Sequence, residues 1–109
     1  MTTTTTTKME ALYQDAKLQL ETGIRDGIPT IFMVGSGGNG KTHLSGECAE
    51  IIQANNYLVD HETGYSMTPD NIKNLVGKNI IHLPSNPHSV YGLDNIANSV
   101  VIDMSHLHW

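Results

Sequence analysis

The sequence predicts an α/β fold: three layers, with a mostly parallel sheet between helices. Short apolar, β-branched runs recur at residues 30–34, 57–59, 79–83 and 100–103. Segments with apolar residues at helical spacing alternate with them. The run at 30–34 is mostly β-branched and apolar, as strands buried on both faces must be. Strand–helix alternation of this kind builds a parallel layered sheet.

Along the chain, residues 1–7 form a threonine-rich start with little to bury, which predicts a disordered tail. Residues 8–109 then read as one domain that begins with a helix. Met9, Leu12, Tyr13, Ala16 and Leu20 fall on one face of a helix over residues 8–22, and Gly23 is its expected stop. Asp26-Gly27 marks a turn and Pro29 precedes the first strand. A second helix is expected over residues 41–55, with Leu44, Cys48, Ile51 and Ile52 inward and Glu47 and Glu50 outward. Asn55-Asn56 should end it. The second strand leads to Asp60, His61 and Glu62. Pro69 suits the first turn of a helix over residues 68–76, with Gly77 after it. The third strand stops at Pro84. Residues 85–98 have loop composition, with a short helix around 93–97 before the fourth strand.

Composition bounds the possibilities. With 109 residues and 39% hydrophobic content, the chain fits one compact α/β unit and not two. No apolar stretch approaches the roughly 18 residues that cross a bilayer. Net charge is −5, and Lys8, Lys17, Arg25, Lys41, Lys73 and Lys78 are scattered. Tracking a nucleic-acid backbone takes clustered cations, so contact with nucleic acid is expected only through other chains or missing segments. Cys48 is the single cysteine, which excludes an internal disulfide. A reducing, cytoplasmic location is therefore expected.

The strongest chemical signal is Gly35-Ser36-Gly37-Gly38-Asn39-Gly40-Lys41-Thr42, which satisfies G-x-x-x-x-G-K-[ST] at each fixed position. It follows an apolar strand and opens an amphipathic helix, the context such a loop needs. Glycines let main-chain N–H groups curl inward around a polyanion with no Cβ in the way. Lys41 places a cation on the outer phosphates, and Thr42 offers a hydroxyl to Mg²⁺. His43 flanks this site or packs on the helix's first turn. The bland alternative is a glycine-rich turn with a solvated lysine.

These residues resemble the Walker A motif of P-loop NTPases, and the spelling Gly37-Gly38-Asn39-Gly40-Lys41 is similar to that of viral and phage superfamily-3 helicase ATPases. The likeness covers about eight residues, plus a looser strand–helix pattern. It implies an AAA+-like core, minimal or truncated here, that binds ATP–Mg²⁺, hydrolyses it and works as a homo-oligomer. Val100-Val101-Ile102-Asp103 resembles Walker B, which would make Asp103 a catalytic and magnesium-shell carboxylate. Met104 stands where many such ATPases carry a catalytic glutamate, so the base is unidentified. Ile80 to Asn86 resembles a sensor strand but precedes Asp103, the reverse of the family order, and a plain strand-to-loop turn is the alternative. Arg25, the sole arginine, lies too early to match an arginine finger.

Two other readings stay open. Small P-loop kinases place acids after the second strand, where a general base meets the acceptor hydroxyl; Asp60 and Glu62 stand there, with Glu62 the candidate catalytic residue, and the alternative is two solvated acids. No arginine follows Arg25 to serve a kinase lid. A non-catalytic nucleotide-binding or assembly protein is the third. His106 and His108 are spaced for one strand face but lack an evident third metal ligand. Cys48 is expected to be a small buried hydrophobe.

Overall fold

The structure is a computed structural model, and it describes residues 3–35, 40–60, 76–83, 98–105 and 107. Its first element, α1, spans Thr3–Arg25. The apolar stripe holds: Tyr13, Ala16, Leu20 and Ile24 are buried, with Met9 and Leu12 packed alongside. Both predicted ends move outward. Helix begins at Thr3, so most of the expected disordered tail has helical backbone. Extending a helix already nucleated costs only tenths of a kcal/mol per threonine.

Gly23 lies inside α1 rather than stopping it. A Cβ there would come within 3.1 Å of Ile31 Cδ1, so glycine lets the helix sit close on the sheet. Gly27 is the residue that ends the helix, with φ of 71°. Its N–H bonds Ile24 O at 3.1 Å and the N–H of Ile28 bonds Gly23 O at 3.0 Å, the paired bonds of a Schellman motif. Nothing lies within 4 Å of a Cβ built on Gly27, so substitution there tests backbone alone. Gly27→Ala is expected to cost about 1 kcal/mol, left-handed strain less the entropy alanine removes from the unfolded chain. A thermal melt should fall by roughly 4 °C.

The strands are β1 (Thr30–Val34), β2 (Tyr57–Asp60), β3 (Lys78–Leu83) and β4 (Ser99–Asp103), each within a residue of its predicted bounds. They form one sheet in the order β2-β3-β1-β4, and every pairing is parallel. β1 is central and buried throughout. Ile31, Met33, Ile80 and Ile102 share a face by register and pack with Leu20, Ile24, Leu44, Cys48 and Ile52 of the helices. Phe32, Val34, Ile81 and Leu83 on the opposite face are buried as well, so the middle of the sheet is covered on both sides. Tyr57 ties the start of β2 to the end of α1, its hydroxyl donating to Ile28 O at 2.7 Å.

The predicted helix after β1 is interrupted. It runs as α2 (Lys41–Glu47) and α3 (Ala49–Ala54), with Cys48 at φ −97° and ψ 12° between them. Gly46, a poor helix former, loosens the turn before the break. Hydrogen bonding carries on across it, from Cys48 N–H to Leu44 O and from Ile52 N–H to Cys48 O. Asn56, at φ 62°, turns the chain into β2. The helices predicted over 68–76 and 93–97 fall outside the described residues, apart from an exposed, non-helical Val76. Among the described residues no helix is long and apolar enough to cross a membrane.

Candidate functional site

Because all four strands run the same way, Val34, Asp60, Leu83 and Asp103 end at one edge of the sheet. Crevices at the carboxyl edge of such sheets are where α/β proteins hold ligands. Gly35 leaves β1 there, with its N–H on Leu83 O at 3.1 Å. Residues 36–39 lie outside the described residues. The chain returns at Gly40, whose φ of 85° a side chain would resist, and enters α2 at Lys41.

Lys41 reaches back over the end of the sheet. Its Nζ donates to Leu83 O at 2.8 Å and to Gly35 O, so one ammonium joins the ends of β1 and β3 to the start of α2. Burial lowers its pKa, and no carboxylate pairs with it among the described residues. A partly dehydrated cation held by carbonyls alone is a strong attractor for an anion. Thr42, next to it, is exposed.

Asp103 is the register partner of Val34, directly before Gly35. Its side chain is exposed, and Oδ1 accepts from Ser105 N–H at 2.9 Å and Ser105 Oγ at 2.6 Å. It therefore stands at the predicted edge while also capping the strand. Met104 N–H continues the pairing to Val34 O at 2.8 Å, and the Met104 side chain is fully buried. That position is packing, not chemistry. Asp60 ends β2 as predicted, whereas Glu62, Asn86, His106 and His108 lie outside the described residues. Arg25 pairs with Glu21 on the surface of α1 at 3.4 Å, away from any role at the loop.

His43 faces α1. Its Nε2 is 3.3 Å from Glu47 Oε1 and its ring centroid is 6.0 Å from that of Tyr13. Tyr13 donates its hydroxyl to Glu47, and Lys17 Nζ lies 3.6 Å from the same carboxylate. The Tyr13 hydroxyl, then Lys17 and His43, hold the Glu47 carboxyl below its ordinary pKa. Burial, then the Glu47 carboxylate, pushes the Tyr13 phenol up. A carboxylate with a depressed folded pKa contributes stability above its unfolded pKa, and that contribution fades as pH falls through the folded value. Glu47→Gln is thus expected to lower the melting temperature near neutral pH. The gap to the parent should narrow as pH falls below the ordinary glutamate value of about 4.3, which a pH series of thermal melts would check.

Two polar residues went unnoticed as a pair in the sequence: Ser45 and His82. Both are buried, and Ser45 Oγ lies 2.8 Å from His82 Nε2. The available signals were a histidine inside an apolar strand and a serine four residues after Lys41. Cys48 is buried, as its place in the stripe predicts.

Compared with known proteins, the chain matches no family model, no curated protein and no solved structure. Among the described residues no group of three or more His, Cys, Asp or Glu could hold a metal by itself. Magnesium on a nucleotide needs fewer protein ligands, since phosphate oxygens and water complete its shell. Thr42 and Asp103, each with an exposed oxygen-bearing side chain at the same sheet edge, suit that role.

Proposed function

We propose that this protein binds the phosphate chain of a nucleoside triphosphate, ATP with Mg²⁺, at Gly35 to Thr42, in a P-loop NTPase-like α/β domain. The supporting observation is Lys41: a half-buried ammonium without a carboxylate partner among the described residues, held where a glycine-rich loop meets the carboxyl edge of a parallel sheet. Lys41 would move from its carbonyls onto phosphate oxygens. Thr42 and Asp103 would take the magnesium, which when bound neutralises charge developing on the phosphates.

Hydrolysis by a viral or phage helicase-type ATPase, within an oligomer that reaches nucleic acid through other chains, is the fuller form of this reading. Met104 favours a narrower one. With a buried thioether after Asp103, no side chain there can activate water, so binding without turnover by the isolated chain is the second reading. Isothermal calorimetry with ATP and Mg²⁺ should give saturable heat, and phosphate release would separate the two readings. A folded protein that shows no heat with any di- or triphosphate would overturn both.

A further inference from the structure

We infer that the buried Ser45–His82 pair is a positioning device that fixes Lys41 for the anion; this rests on the phosphate-binding reading above. Each partner sits beside something Lys41 touches. His82 directly precedes Leu83, whose carbonyl accepts from Lys41 Nζ at 2.8 Å. Met33, the register partner of His82, lies two residues before Gly35, the other carbonyl that Lys41 bonds. Ser45 follows Lys41 by one helical turn and so projects from the same face of α2. A polar contact one turn behind the lysine therefore clamps α2 to the same two strands that the lysine bridges.

The clamp is directional where the surrounding packing is not. Ser45 and His82 are each only 5% exposed, in a face otherwise built from Ile31, Met33, Ile80, Ile102 and Leu44. Apolar contacts tolerate sliding and rotation of a short helix, whereas a 2.8 Å hydrogen bond between two buried groups does not. The serine also suits either imidazole tautomer. It can donate to an unprotonated Nε2, or accept from Nε2–H while its own proton points to Met33 Sδ at 3.5 Å. Burying two polar groups costs desolvation that an apolar pair would not. What the polar pair adds is a fixed depth and rotation for α2, hence a fixed reach for Lys41.

The test compares ATP–Mg²⁺ affinity by calorimetry with stability by urea unfolding, for His82→Phe, Ser45→Ala, the double variant and His82→Gln. His82→Phe and Ser45→Ala are each expected to weaken affinity about tenfold, and the double variant no further, since each removes the Ser45–His82 contact on which the positioning depends. His82→Gln, which keeps a hydrogen-bonding group at similar reach, should recover most of the loss. Folded single variants with parental affinity, or losses that multiply in the double variant, would overturn the positioning role. A purely structural pair would change urea midpoints and leave affinity alone. Should the variants fail to fold, ¹⁵N-imidazole spectra of the parent decide: the His82 ring signals should shift along the ATP binding curve, and unmoved signals overturn the proposal. If the parent itself gives no heat with ATP, the phosphate-binding reading falls and carries this one with it. A parent that binds beside equally tight variants removes only the role of Ser45 and His82.

Discussion

Lys41→Ala is expected to weaken ATP–Mg²⁺ binding by about a hundredfold or more while leaving the fold intact. A charge-assisted hydrogen bond contributes about 1.5–3 kcal/mol, and an ammonium moving onto phosphate oxygens makes at least one such bond while neutralising charge. A hundredfold is about 2.7 kcal/mol, within that range. The ammonium gives up two carbonyls to reach the ligand, which keeps the effect from being larger. Stability should barely change, because Leu83 O keeps the Gly35 N–H and a half-buried charge is removed. Calorimetry and a thermal melt on the same preparation would check both halves. Parental affinity in the variant would sink the assigned site.

Phe32→Ala is expected to have the largest effect on stability, about 3–5 kcal/mol. Phe32 is fully buried at the middle of the central strand, paired with Ile81 on one side and Val101 on the other. Truncation removes most of a ring's transfer energy and leaves a cavity flanked by two strands that cannot both close in. Small domains have only about 5–15 kcal/mol in hand, so the variant should lose roughly a fifth or more of its stability. The urea midpoint should fall by about 2 M with an unchanged slope. A shift worth less than about 1 kcal/mol would mean that β1 is not the centre of the core.

The strands were legible because each is built on a short run of apolar residues, with firm punctuation such as Pro29 and Gly35 around β1. Helix limits were less so. Gly23 reads as a stop by composition, and only the approach of Ile31 shows that a missing side chain, not a chain reversal, is what the position supplies. The break at Cys48 was hidden because the apolar spacing of Leu44, Cys48 and Ile52 runs straight through it. Lys41 stood out because the motif that contains it is local in sequence. Ser45 meeting His82 did not, since that contact exists only once α2 is laid over β3. Glu47 was rightly placed on the outer surface, but its partners Tyr13 and Lys17 come from a helix far away in sequence.

The pairing of α1 with β4 has a consequence for synthesis. The stripe on α1 shares its core with Val100, Ile102 and Leu107, which the ribosome delivers last among the described elements. Until they emerge, the nascent helix has an oily flank without its permanent cover. Closure must await β4, so maturation should be late, slow and cooperative rather than piecewise.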